Sequence, residues 1–135
     1  MYRVAAITGG AGAIGGAIAT SLRDAGHAVA ILDREAEFAV DLGSEAAVRA
    51  VANQVLERMG RCDVTVNCVA PGLTRTPAAE AGMPEAAFEQ VRAQQALPRT
   101  LVAEDVSGVV AFLASDAAAA ITGQTLCADG GLVLR

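Results

Sequence analysis

Two features of this sequence predict an α/β fold built on a parallel sheet. Short apolar, partly β-branched runs alternate with amphipathic helical stretches, and the first run opens through a glycine-rich turn directly into a helix. That run is Val4 to Ile7, which suits a strand covered on both faces. Gly9, Gly10, Gly12 and Gly15 follow, and Ile14, Ala17, Ile18, Leu22 and Ala25 then recur at helical spacing. A helix N-terminus carries unpaired N–H groups and partial positive charge, and glycines there let a phosphate approach the backbone. A pyrophosphate cradle is the sharper reading of this corner. A purely structural strand–turn–helix connection is the plainer one.

Composition narrows the class. At 135 residues, 53% hydrophobic but only 3% aromatic, the chain suits one domain with a core of Ala, Val, Leu and Ile. A net charge of −5 argues against a nucleic acid or an anionic membrane as partner. The apolar runs are too short to span a bilayer and the N-terminus lacks a secretory pattern, so a cytoplasmic protein is expected. Cys62, Cys68 and Cys127 read as reduced packing residues, and no Cys/His spacing suggests a metal. His27, the one histidine, follows Gly26 in a turn. All ten cationic side chains are arginine, lysine is absent, and the single tyrosine is Tyr2.

After the first helix, Ala28 to Leu32 reads as a second buried strand ending in Asp33-Arg34. An acidic residue there, about 20 residues beyond the glycines, is where a dinucleotide site needs a partner for the ribose 2′-hydroxyl. Its carboxylate accepts that hydrogen bond and repels a 2′-phosphate, which favours NAD over NADP; Arg34 beside it weakens the discrimination. The next stretch, Glu35 to Val40, is too short for a helical crossover. Phe38 to Val40 is either a stubby edge strand or unpaired. Ser44 is a candidate N-cap with Glu45 in the first turn, and Val48, Val51, Ala52, Val55, Leu56 and Met59 form the apolar side of a helix that stops at Gly60.

Asp63 to Ala70 reads as a strand stopped by Pro71-Gly72, with Asn67 either a turn former or a cleft-lining amide. Pro71 to Pro77 reads as a loop carrying the hydroxyls of Thr74 and Thr76. A helix starts near Pro84, turns Phe88 and Val91 inward and ends at Pro98. Another runs from about Glu104 to Ser115 with Val106, Val109, Val110 and Leu113 on one face. Thr125 to Cys127 is a last short strand before Asp129-Gly130-Gly131.

These residues resemble the short-chain dehydrogenase/reductase family, in particular its bacterial oxoacyl-reductase-like members. Thr8 to Gly15 resembles the family's glycine motif, with Ala13 and Ile14 inside it, and Asp33 the acidic residue of NAD-preferring members. Asp41 resembles the aspartate that meets the adenine amino group, with Leu42 packed beside it. Pro71, Gly72, Thr74 and Thr76 lie in a stretch similar to the loop that holds the nicotinamide carboxamide. Ala103 to Ala114 and Ile121 to Gly131 resemble the last helix and strand. The resemblance thus implies a nicotinamide dinucleotide as ligand, bound by Thr8, Gly9, Gly12, Ala13, Ile14, Gly15, Asp33, Arg34, Asp41, Leu42, Asn67, Pro71, Gly72, Thr74 and Thr76.

The departures from the family pattern are equally specific. A member follows its fourth strand with N-N-A-G, two long helices, a fifth strand, a catalytic serine and a Y-x-x-x-K pair. Here Val66-Asn67 runs straight into the equivalent of the sixth strand. A fusion at the shared V-N dipeptide accounts for this, and the shortened Glu35–Val40 stretch looks like a second excision. With no lysine in the chain, Y-x-x-x-K is impossible, and Tyr2 precedes the first strand, across the sheet from the cofactor end.

The expected fold is a minimised Rossmann-like, doubly wound parallel sheet of about five strands, in the order 3-2-1-4/6-7, forming a single truncated dinucleotide-binding domain. One face would have fewer helices, which predicts an exposed apolar patch and a homodimer or higher homo-oligomer through that face or the C-terminal helix and strand. The expected function is NAD binding without reductase activity. The alternatives are an NAD-dependent oxidoreductase with substitute residues, and a structural deletion product that binds nothing.

Overall fold

The computed structural model describes residues 3–63 and 67–133. The chain divides into two compact units, Met1–Val64 and Thr65–Arg135. The first holds β1 (Val4–Thr8), α1 (Ala13–Asp24), β2 (Ala28–Asp33), β3 (Phe38–Ala39) and α2 (Glu45–Met59). β1 and β2 run parallel, from Val4 opposite Ala28 to Thr8 opposite Leu32, and β3 adds in parallel with Phe38 opposite Leu32. This is the expected 3-2-1 arrangement. Only residues 34–37 separate β2 from β3. So short a parallel connection works because β3 is two residues long: the chain steps back by a residue or two of rise before it turns parallel again. The edge-strand reading of Phe38 holds, and Val40 lies just beyond the strand, donating its N–H to Asp33 O at 3.1 Å.

Alternation along the strands gives this unit a core. Val4, Ala30, Leu32, Phe38 and Val40 pack with Val51 and Val55 of α2. Ala5, Ile7, Val29 and Ile31 point to the opposite face, and Ile31 reaches Gly10, just before α1 begins. α1 packs on both β1 and β2 and buries Ala19 and Leu22. Two expectations need correcting. Ala25 is exposed, because α1 ends at Asp24 and Ala25 is its cap. Of the six apolar residues expected inward on α2, only Val51 and Val55 are buried, while Val48, Ala52 and Leu56 form an exposed second stripe. α2 otherwise starts and stops as its sequence dictates. Ser44 Oγ accepts from Ala47 N at 3.3 Å, and Gly60 takes the left-handed conformation (φ 75°) that ends the helix.

Asp63 closes the unit. Its N–H donates to Val4 O at 3.1 Å, and its Oδ2 accepts from Val4 N at 2.9 Å. Ala28 N donates to Arg3 O, so by alternation the backbone groups of Val4 point away from β2. Asp63 therefore lies on the free edge of β1, where the next strand was expected to start. Of that strand, Val64, Thr65 and Val66 lie outside the described residues, as does Tyr2.

The second unit holds β4 (Cys68–Pro71), β5 (Thr74–Arg75), α3 (Pro77–Gly82), α4 (Glu85–Gln94), β6 (Leu101–Val102), α5 (Ala103–Leu113), a short 3-10 turn at Asp116–Ala118 and β7 (Thr125–Ala128). β4 and β7 pair in parallel, Cys68 opposite Thr125 and Pro71 opposite Ala128. Pro71 ends inside the strand instead of stopping it. Cys68 N and Gly72 N donate to Gln124 O and Ala128 O, so the missing N–H of Pro71 faces away from β7 and costs no ladder bond.

The stretch 71–77 is more ordered than a loop. Thr74 and Arg75 pair with Leu101 and Val102, and Thr76 caps α3 by accepting from Ala79 N at 3.2 Å, with Pro77 at the first helical position. α4 buries Phe88 as expected but ends at Gln94, short of Pro98. Gln95 turns extended there and draws its amide inward, donating from Nε2 to Asp129 O at 3.1 Å. α5 buries Val106, Ser107 and Leu113 and packs on both β4 and β7. The cysteines are not core residues: Cys62, Cys68 and Cys127 are all free and exposed.

Candidate functional site

The glycine corner of the first unit has the geometry of an anion cradle. Gly9 sits at φ 66°, a conformation in which a β-branched residue is strained, and its N–H donates to Leu32 O at 2.9 Å. Gly12 N closes the turn onto Gly9 O at 3.1 Å. At Gly15 the demand is for space: a Cβ there would run into Gly9 O and come within 2.8 Å of Gly10 Cα. Gly12 is the N-cap of α1 and supplies no side chain, so no capping side chain covers the first-turn amides, and Ala11, Gly12 and Ala13 are exposed. Open amides at a helix start, crossed closely by backbone, are what a phosphate group fits.

Both acidic residues singled out in the sequence, Asp33 and Asp41, hold backbone, and Asp33 does so at this corner. Asp33 Oδ2 accepts from Ala11 N at 3.1 Å, and Oδ1 from Arg34 N at 2.7 Å. Asp41 Oδ1 accepts from Gly43 N at 3.0 Å and starts the turn that leads into Ser44 and α2. Leu42 beside it stays 53% exposed, an apolar surface with no covering side chain of its own. Thr8 and Arg34 are also exposed. Ala11 is the participant that sequence reading missed; its signal was only its place among the glycines, because a backbone N–H leaves no mark on residue type.

In the second unit, Pro71 and Gly72 stand at the C-terminal end of β4, the end where parallel sheets bind ligands. Gly72 is close-packed: a Cβ would lie 2.8 Å from Asp129 Cα. The two threonines are engaged locally. Thr74 is buried and its hydroxyl donates to Gly72 O at 3.1 Å, while Thr76 caps α3. Asn67 lies at the other end of β4. Its Nδ2 donates to Ile121 O at 3.1 Å and its Oδ1 accepts from Gln124 N at 3.0 Å, which clamps the turn before β7. Sequence reading also missed Gln95, one of whose amide atoms, Oε1, is buried without a partner beside Gly130.

Charge in this unit braces helices. Arg75 bonds Glu80 at 3.0 Å and Glu85 at 2.6 Å and lies over the Phe88 ring at 4.4 Å, tying β5 to α3 and α4. Its hydrogen bond holds the Glu85 carboxyl below the usual range. Arg99 does the same for Asp105, which also accepts from Val102 N at the start of α5. Among the described residues there is no cluster of three or more His, Cys, Asp or Glu able to hold a metal ion, and no helix long and apolar enough to cross a membrane.

Comparison with known proteins supplies the lineage. Residues 42–133 match the family model described as Enoyl-(Acyl carrier protein) reductase. A protein of Bradyrhizobium diazoefficiens named as a probable short-chain type dehydrogenase/reductase is 40% identical over 90 residues, 67% of this chain and 32% of that protein. An (S)-acetoin-forming diacetyl reductase of Staphylococcus aureus is 42% identical over 99 residues, 66% of this chain and 38% of the relative. The 7alpha-hydroxysteroid dehydrogenase of Bacteroides fragilis is 38% identical over 92 residues, 68% and 36% of the two chains. The match thus spans about a third of the length of these relatives. The fold is similar to that of YwfH, an NADPH dependent reductase involved in bacilysin biosynthesis (TM-score 0.86, 18% identity, 100% of both chains). It is also similar to a ribose-5-phosphate isomerase from Brucella melitensis (TM-score 0.84, 21% identity, 97% and 92% covered). Two such different names on one architecture mark the likeness as one of fold alone. With parallel strands, interleaved helices and a family model matching over two thirds of its length, the chain belongs to the short-chain dehydrogenase/reductase family.

Proposed function

We propose that this chain is a single truncated dinucleotide-binding domain that takes NAD in preference to NADP and does not carry out the family's reduction. The observation that carries the reading is the corner at Gly9–Gly15, where a side chain at Gly15 has no room and the first-turn amides of α1 have no capping side chain. Thr8, Gly9, Gly12, Ala13, Ile14 and Gly15 hold the pyrophosphate in this reading. Asp33 accepts from the adenosine ribose, with Arg34 tempering the bias against a 2′-phosphate, and Asp41 and Leu42 meet the adenine. The backbone of Pro71 and Gly72 is assigned to the carboxamide on the family resemblance, with Thr74 and Thr76 shaping that stretch. Asn67 is assigned to the β7 turn instead, because both ends of its amide are already bonded there.

A bound nicotinamide supplies hydride transfer; this chain supplies binding groups, and lysine is missing from its inventory. We infer an internal excision between the equivalents of the family's fourth and sixth strands. The exposed stripe Val48, Ala52 and Leu56 and the exposed strand residues Cys68, Thr125 and Cys127 support a homo-oligomer that covers apolar surface.

Calorimetric titration with NAD and NADP tests the reading: NAD binds about tenfold more tightly or better, and no heat with either cofactor on folded protein overturns it. The reductase and dehydrogenase names of the relatives favour the rival reading, an active oxidoreductase. Turnover of NADH with carbonyl substrates that is lost in Asp33→Ala would establish that rival. Sedimentation showing a stable monomer at micromolar concentration would remove the oligomer.

A further inference from the structure

We propose that Asp33 is a positioning residue: its carboxylate latches the phosphate turn to the end of β2 before any ligand arrives. The function of the latch rests on the dinucleotide-site reading above, while its geometry does not. The turn from Gly9 to Gly12 contains three glycines, which have more conformational freedom to lose than other residues. Two successive residues of β2 grip it. Leu32 O accepts from Gly9 N at 2.9 Å, and Asp33 Oδ2 accepts from Ala11 N at 3.1 Å. The second bond is to an ionised acceptor, the stronger kind. It fixes the exposed residue immediately before the Gly12 N-cap of α1, so the open amides that begin at Ala13 are aimed when a phosphate arrives.

The same carboxylate is held in place by Arg34 N at 2.7 Å through its other oxygen. Each oxygen then retains lone-pair capacity, so a ribose hydroxyl can add without displacing Ala11. One side chain therefore serves two neighbouring subsites, and removing it weakens phosphate binding as well as ribose binding.

The test compares the full chain with Asp33→Ala and Asp33→Asn. Both variants remove the charge, and only the second keeps an acceptor oxygen, so the difference between them isolates the hydrogen bond. Without ligand, the Ala11 amide should exchange about tenfold faster or more in Asp33→Ala than in the unaltered protein, and Asp33→Asn should recover much of the protection. The amides of His27 and Gly60, bonded to Leu22 O and Leu56 O in the same unit, should keep their rates and so report an intact fold. Inorganic pyrophosphate, which has no ribose, should bind Asp33→Asn at least about threefold more tightly than Asp33→Ala. Equal Ala11 exchange in all three proteins, or faster exchange at Ala11, His27 and Gly60 alike, overturns the latch. If the Ala11 pattern holds and pyrophosphate binds none of the three, the latch stands and the dinucleotide-site reading falls.

Discussion

The strands of the two units are covered very differently. In the first unit Val4, Ala30, Leu32 and Phe38 are buried within the sheet, between α2 on one face and α1 on the other. In the second, none of the eight residues of β4 and β7 is buried, although α5 packs on both strands. Cys68 and Thr125 stand opposite one another, with Cys127 two residues along the same face, and all three are exposed. Burial in this unit has moved off the ladder to Phe88, Leu101, Val106 and Leu113. The apolar character of a parallel strand makes sense only when both faces are covered. Apolar sequence in β4, left open on one side, is what a chain shows when the helices for that side are not supplied by its own connections. The proposed excision removes those helices.

The sharpest way to break the contrast is at Gly15, because the first unit concentrates its tight packing there. Gly15→Ala places a methyl group against Gly9 O and Gly10 Cα, so the turn must open. NAD affinity should fall by about 100-fold or more, equivalent to about 2.7 kcal/mol, measured by calorimetry on protein that keeps its far-ultraviolet dichroism. Retained affinity would place the ligand elsewhere.

Core truncation gives the next largest effect and should differ between units. Val51→Ala, at a position 2% exposed, should cost about 2 kcal/mol in urea unfolding, while Leu126→Ala in half-covered β7 should cost about 1 kcal/mol or less despite losing a larger side chain. Equal losses would mean that something covers the β4–β7 ladder in solution.

Much of this was legible in the sequence, for reasons specific to each element. β1, the glycine corner and α1 form a local signal in which strand pattern, turn residues and helix period all agree, and the structure has each of them. The Ser44 cap and the Gly60 stop are likewise local chemistry. What was misread depended on what lies across from a residue. Val48 and Leu56 carry the same helical period as Val51 and Val55, yet nothing in that period reveals that cover reaches only one flank of α2. The stretch from Pro71 to Pro77 read as a loop because β5 is only two residues long and pairs with distant β6, which leaves no local pattern. Asp33 stands out by its spacing from the glycines, but its bond to Ala11 leaves no mark in the sequence, since the partner is a backbone N–H.

The exposed thiols sharpen the comparison in solution. Cys62 belongs to the first unit, Cys68 and Cys127 to the open ladder of the second, and all three are free and exposed. A thiol reagent should label all three in dilute native protein without denaturant. If a second copy covers the ladder, labelling of Cys68 and Cys127 should slow severalfold as protein concentration rises into the micromolar range, while Cys62 keeps its rate. Uniform labelling at every concentration would leave the ladder open.

The smallest expected effect is electrostatic, and it has the same sign in both units. Asp63 is held below the ordinary aspartate value of 3.8 mainly by its hydrogen bond from Arg61, then by the bond from Val4 N. Asp105 is held below it by Arg99 and by Val102 N. A carboxylate whose pKa is lower in the folded state contributes stability that is complete above its unfolded value and fades as the pH falls through the folded one. The melting temperature of the unaltered protein should therefore decline as the pH drops below about 4, and Asp63→Asn and Asp105→Asn should each flatten part of that decline. The contributions are modest because both side chains remain partly in water. Their ranking tests which unit fails first. Asp63 pins the free edge of β1, whereas Asp105 starts a helix that lies on an open ladder; if acid releases the second unit first, flattening by Asp105→Asn should exceed that by Asp63→Asn, and the reverse order would make the β1 edge the weaker point.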